Sequence, residues 1–321
     1  MGKKQKFILI ILTIIIISFP IWYFLFGLEE KPPANGYNKN ENAIWLEHEW
    51  VDSKKSAVEI KNLIDNFGDK RIKYVFMHVG PIESDGIISV EKFKYARDFL
   101  NTARMYGDKI KYLAWMGQMR TKIDLANPVV RFQIAETARI LTEETGFDGI
   151  HYDIEPIYDN DLDFIFLLET TKSKIGQNKI LSVAINEVLP NLPRKILRLF
   201  KPNIAPLSED IYKKIEQKTD QIAVMTYENN IKEPWLYRYF LKNEVIWLTR
   251  AINSRKILVG IPSYEKGINA EAENIENGLL GIIDGLKNTR SKKESFLGVA
   301  IYINKETSDK EWKIYKELWI K

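Results

Sequence analysis

From residue 43 onward, short apolar runs alternate with longer stretches whose apolar positions recur at helical spacing. The short runs are AIWLEHEWV (43–51), IKYVFMHV (72–79), IKYLAWMG (110–117), FDGIHYDIE (147–155), ILSVAIN (180–186), QIAVMTYE (221–228), KILVGIPSY (256–264) and FLGVAIYIN (296–304). Each is rich in Val, Ile, Tyr or Phe, as strands are. Residues 127–146 carry a helical pattern that stops at Gly146, and residues 234–253 and 309–321 read the same way. Strands alternating with helices imply a parallel sheet, and eight units predict an α/β fold closed as a (β/α)8 TIM barrel. An open doubly wound sheet is the alternative. That fold carries a Gly-rich phosphate loop after its first strand, and WLEHEWVDSKK has none.

The pattern before residue 43 is different. Phe7 to Leu28 contains no charged residue, a run long enough to cross the ~30 Å hydrocarbon core of a membrane. Basic MGKKQKF precedes it and EEK follows, which sets the N-terminus in the cytoplasm and the rest of the chain outside. A cleaved signal peptide has an apolar region of roughly 7–15 residues and small residues at its cleavage site. Here Trp22, Tyr23 and Phe24 stand in that place. The sequence therefore predicts a basic tail and single-pass anchor in the cell membrane over residues 1–28, a linker over 29–42 and the barrel over 43–321.

Charge and composition narrow the function. The net charge of +4 owes three positive charges to Lys3, Lys4 and Lys6, and the body beyond them is nearly neutral. A nucleic-acid partner, which needs a basic face, is not expected. The chain has no cysteine, so disulfides, a thiol nucleophile and cysteine-ligated metal are excluded. His48 and His78 are too few and too scattered to predict a metal site.

In a barrel, the catalytic groups come from the C-terminal ends of the strands. Those ends here carry Glu47, His48, Glu49, Trp50, His78, Trp115, Gln118, Asn186, Glu187, Tyr227, Glu228, Tyr264 and Tyr302. Aromatic faces beside carboxylates suit a sugar ligand. In the fourth strand, GFDGIHYDIEP (146–156), alternation puts His151, Asp153 and Glu155 on one face and Ile150, Tyr152 and Ile154 on the other. If the isoleucines pack under the helices, the polar trio points into the barrel. Glu155 is then nearest the mouth, where a partly buried carboxylic acid acts as a general acid. Asp153, two residues behind, lies close enough to couple to it electrostatically.

DGIHYDIE resembles the strand-four signature Asp-Gly-x-Asp-x-Asp-x-Glu of glycoside hydrolase family 18, the chitinases and endo-β-N-acetylglucosaminidases. Three further pieces match in order: MTYE (225–228), VGIPSY (259–264) and GVAIY (298–302). The resemblance implies a glycosidase that cleaves a β-linked N-acetylhexosamine glycan, a polysaccharide or oligosaccharide, without metal or organic cofactor; with the anchor read above, it is expected to be membrane-anchored and extracellular. It also implies a substrate-assisted mechanism, in which the substrate's acetamido oxygen attacks the anomeric carbon. Glu155 is then acid and base, Asp153 orients the acetamido N–H, and Tyr227 donates to the acetamido oxygen. Met225, Glu228, Tyr264, Tyr302, Trp115 and His151 complete the substrate site.

The departures from the family pattern are His151 for an aspartate, Glu228 for an aspartate and Tyr302 for a tryptophan. A histidine at 151 could donate to Asp153 and favour its ionised form. About 30 residues separate strands seven and eight, too few for the small α+β insertion that deepens the groove of many family chitinases. Two other readings stay open. One is a non-hydrolytic glycan-binding barrel. The other is a hydrolase with a conventional carboxylate pair, Glu155 with Glu228 or Glu49. Trp45 and Trp50 read either as core or as sugar platform. Trp247, Trp312 and Trp319 read as packing in the outer ring.

Overall fold

All eight expected strands form, and each pairs in parallel with the next until β8 closes on β1. They are β1 Asn42–Leu46, β2 Ile72–Pro81, β3 Lys111–Met119, β4 Gly149–Glu155, β5 Ile180–Asn186, β6 Gln221–Met225, β7 Ile257–Pro262 and β8 Phe296–Tyr302. Among the described residues a principal helix follows each strand: α1 Ala57–Asp69, α2 Ala96–Tyr106, α3 Pro128–Arg139, α4 Leu162–Ile175, α5 Glu209–Lys218, α6 Pro234–Ala251, α7 Ile275–Lys287 and α8 Asp309–Tyr315. This computed structural model describes Ser18 and residues 36–187, 207–254, 256–264 and 269–321. The chain divides into two units, Met1–Pro33 and Ala34–Lys321. The anchor expected over residues 1–28 lies outside the described residues, Ser18 apart. Among the described residues no helix is long and apolar enough to cross a membrane.

The alternation along each strand sorts side chains into two cores. Outward residues such as Ile150, Tyr152 and Ile154 join the large cluster between strands and helices. Tyr152 shares a hydrogen bond with Thr171 of α4 there, at 2.7 Å. Trp312 and Trp319 belong to the same outer cluster, and Trp247 packs against it. The inward cluster contains Ala43, Trp45, Tyr74, Phe76, Leu113, Trp115, Ala223, Leu258, Leu297 and Ala300. It plugs the barrel and forms the bed on which the strand-end residues rest. Burying a side chain of this kind contributes roughly 1.5–3 kcal/mol.

Strand ends shift from expectation, and two stop three or more residues short of it. β1 stops at Leu46, and Glu49–Asp52 form a single helical turn. The apolar Trp50 and Val51 that extend the pattern are satisfied elsewhere: Val51 is buried and Trp50 packs edge-on against Phe99 of α2. β6 stops at Met225, and the chain then turns sharply, with Glu228 at a left-handed φ of 61°. The last part of the expected linker also lies against the barrel. Asn38 donates to the Trp319 carbonyl at 3.0 Å, and buried Asn42 accepts from the Trp319 indole at 2.9 Å.

Gly149 starts β4 opposite Ile180 of β5. A methyl group there would overlap the Ile180 backbone carbonyl. Gly149→Ala is therefore expected to prise β4 from β5 and cost about 3 kcal/mol or more, the upper range for overpacking. A melting temperature equal to that of the parent would refute this tight approach.

Candidate active site

The register of β3 and β4 sets Trp115 beside His151 and Gly117 beside Asp153. His151, Asp153 and Glu155 thus climb one wall of the barrel interior. Their environments differ with height. His151 is fully buried and stacks flat on Phe76, with centroids 3.7 Å apart. Its Nε2 accepts the Trp45 indole N–H at 3.1 Å, and its Nδ1 lies 2.9 Å from the Ser182 hydroxyl. An indole nitrogen only donates, so Nε2 carries no proton and Nδ1–H donates to Ser182. Burial holds the ring well below its usual pKa, so it is neutral.

Asp153 sits one step higher. Its Oδ2 accepts the Trp115 indole N–H at 2.9 Å, while its buried Oδ1 has no hydrogen-bond partner of good geometry. Burial raises the Asp153 carboxyl, against the Trp115 N–H and a hydrogen bond shared with Glu155, both of which favour charge. Glu155 ends the strand. Burial, then the Asp153 charge and the hydrogen bond between the two carboxyls, push it up to about 7. The pair is therefore disposed with the negative charge on Asp153 and the proton on Glu155.

Across the mouth, Tyr227 follows β6 and stacks on Tyr302 of β8, with centroids 4.6 Å apart and planes 12° from parallel. Trp45 meets both rings edge-on from below. Burial raises both phenols, so each keeps its proton and can donate. Asp153, Glu155, Asn186, Glu187, Met225, Tyr227, Glu228, Asn229, Asn230 and Tyr302 enclose a cavity of about 520 Å³. That is room for one or two pyranose rings, within the usual range for small-ligand sites.

The structure brings together six of the nine site residues expected from sequence: Asp153, Glu155, Met225, Tyr227, Glu228 and Tyr302. The other three stand behind them. His151 was expected to bind substrate and to donate to Asp153; it does neither, because Trp45 and Ser182 occupy both ring nitrogens beneath the site. Trp115 presents its nitrogen to Asp153 instead of a free face to the cavity. Tyr264 is buried and does not line the cavity. Trp45, at 1% exposure, is core.

Glu273 was not visible as a site residue. This buried carboxylate precedes α7 and accepts the backbone N–H groups of Asn229 and Ile231, so it holds the loop that carries Tyr227 and Glu228. Nothing in the local sequence signals it; the partners lie 44 and 42 residues away. Asn229 and Asn230, also unpredicted, extend the cavity wall as a polar doublet directly after Glu228. Among the described residues, no group of His, Asp and Glu converges as metal ligands would.

The sequence matches the model of glycosyl hydrolases family 18 over residues 50–318, most of the chain. The chain belongs to that family. It is thus a glycoside hydrolase, and chitinase-like in its fold. No curated protein matches the sequence. Solved structures of the same architecture are distant in sequence. The Bacillus cereus spore cortex-lytic enzyme SleL is 12% identical at a TM-score of 0.59, over 87% of this chain and 74% of its own. A chitinase from Bacteroides thetaiotaomicron is 14% identical at 0.58, over 87% and 96%. A family 18 chitinase from Cycas revoluta, solved with (GlcNAc)4, is 12% identical at 0.59, over 87% and 99%. At such identities the likeness shows the fold, and membership rests on the family model. Within this family 18 barrel, Asp153 and Glu155 line the cavity at the end of β4, with His151 buried below them.

Proposed function

We propose that this family 18 chain hydrolyses a glycan with a β-linked N-acetylhexosamine, using the substrate's own acetamido group as nucleophile. The observation that carries the reading is the Asp153–Glu155 pair, with one buried carboxylate oxygen lacking a fixed donor and a proton held next to it near neutral pH. An acetamido N–H is the donor that Asp153 Oδ1 lacks. Glu155 gives its proton to the leaving glycosidic oxygen as the acetamido oxygen closes on the anomeric carbon. Asp153 offsets the positive charge of the resulting oxazolinium. The Tyr227 hydroxyl donates to the acetamido oxygen and aligns it. Glu155, now ionised, takes a proton from water, which opens the oxazolinium from the face the leaving group left. Configuration is retained.

The SleL and chitinase likenesses support an N-acetylated glycan as substrate. Of the carboxylates that could instead act as nucleophile, Glu49 is not among the cavity-lining residues, whereas Glu228 is. An N-acetylglucosamine thiazoline, which mimics the oxazolinium, separates the two. Inhibition that is competitive and far stronger than by N-acetylglucosamine is expected. A trapped glycosyl ester on Glu228 would reject substrate assistance. The barrel is proposed to work outside the cell, carried by the uncharged run Phe7 to Leu28, with Lys3, Lys4 and Lys6 inside. Protease added to intact cells should then digest the barrel; full protection would refute this orientation.

A further inference from the structure

The fixed donor to Asp153 comes from a different strand. Trp115 of β3 reaches across to β4, and its indole nitrogen lies 2.9 Å from Asp153 Oδ2. Three neighbours surround the indole in that pose. His78 packs edge-on against its ring at 4.7 Å. Burial lowers the His78 imidazole to about 4, so it is a neutral wedge at working pH. Gly117 stands beside the nitrogen: a methyl there would make ordinary van der Waals contact, 3.4 Å from Nε1 and the same from the Asp153 carbonyl. On the other side stands His151, whose ring nitrogens are both engaged by Trp45 and Ser182.

Resting on the reading of Asp153 as the carboxylate that assists the acetamido group, we propose that Trp115 is the positioning residue of Asp153, supplying the donor that His151 withholds and aiming Oδ1 at the substrate. An indole donates and never accepts. It therefore selects the ionised carboxylate and cannot share a proton with it. With Oδ2 held by Trp115, the buried Oδ1 is the oxygen left without a fixed partner. The groups that face the Asp153 carboxylate are Glu155 on its own strand, Tyr227 beyond β6 and Tyr302 on β8. Both phenols keep their protons and His151 below is neutral. Glu155 is then the partner that takes up whatever proton Asp153 refuses.

Trp115→Phe removes the N–H and keeps a ring against His78. In the full-length chain in micelles, carboxyl carbon NMR should show Asp153 titrating about one pH unit higher, the worth of a hydrogen bond to a charged group. Glu155 should titrate lower, because the neighbouring charge that raises it is weakened. The bell-shaped activity profile should narrow from both sides with KM little changed. Unchanged titrations, or a raised KM with an unmoved profile, would overturn the proposal and make Trp115 a sugar platform. The unaltered protein offers a second readout that does not depend on the variant folding. The Trp115 indole N–H resonance should move with the Asp153 titration, while that of Trp45, bonded to neutral His151, stays fixed between pH 5 and 8. An indole signal from Trp115 that ignores pH would also overturn it. The two NMR titrations need no substrate, so they stand apart from the thiazoline test of the reaction.

Discussion

Glu155→Gln is expected to cut turnover by about 10²–10⁴-fold, the usual worth of a positioned general acid and base, while the barrel folds as before. Glutamine has the shape of the protonated acid and fills the same place at the end of β4. It has no proton of the right acidity to give the leaving oxygen and no charge with which to take one from water. The same substitution has a stability signature of opposite sign. Burial and the Asp153 charge raise Glu155 from its ordinary 4.5 to about 7. Between those values the folded chain holds a proton that the unfolded chain releases, so the parent loses stability as pH rises through that window. The full penalty, on the order of 3 kcal/mol, is reached above pH 7. Glutamine carries no such penalty. The variant should melt with the parent near pH 4 and above it at pH 8. Retained turnover would remove Glu155 from the reaction. A melting difference that does not change with pH would show that its carboxyl is not held in the buried, charge-coupled setting described here.

The strands were readable because a parallel barrel demands apolar runs, and Val, Ile, Tyr and Phe supply them in eight places. Their ends were less readable. Trp50 and Val51 prolong the pattern of β1, yet they pack on a helix, and period-two alternation cannot tell one burial partner from another. The wall of the site was visible for the same reason as the strands: alternation puts His151, Asp153 and Glu155 on one face. What alternation does not carry is height within the barrel or the identity of the neighbour. Trp45 lies 106 residues before His151, and only closure of β1 through β4 brings its N–H to the imidazole. A histidine that looked able to feed a proton to Asp153 is thereby a neutral spacer. Trp115 was legible as a mouth aromatic, but no spacing rule encodes that its nitrogen turns to Asp153 with His78 edge-on against its ring.

This exchange of partners gives the chain a proton arrangement of its own. Behind Asp153 stands a ring whose two nitrogens are already spent. Two tryptophan N–H groups, Trp45 on His151 and Trp115 on Asp153, take over the lower part of the network. Neither can accept a proton. On the reading proposed above, the mobile proton of the site is confined to Asp153 and Glu155, and its position is set by burial, by the Trp115 donor and by the charge between the two carboxyls.

Asp153→Asn tests that confinement, and the expected loss of turnover is about 10²–10³-fold, comparable to removing one preorganised electrostatic group. The Trp115 N–H decides how the new amide lies. It needs an acceptor, so the asparagine oxygen turns toward it and the NH2 group turns toward the mouth. There the amide meets the acetamido N–H, a donor facing a donor. A buried donor left unsatisfied costs roughly 1–3 kcal/mol, and the charge that would offset the oxazolinium is gone as well. Glu155 responds in turn. The Asp153 charge and hydrogen bond both raise it, so without them it should ionise at lower pH, and the residual activity should fall away below pH 7 rather than near it. A variant that keeps most of its turnover would show that the acetamido group finds its partner elsewhere. A variant that loses turnover with the alkaline limb unmoved would leave Asp153 necessary but sever it from Glu155, because the proton on Glu155 would then owe nothing to its neighbour's charge.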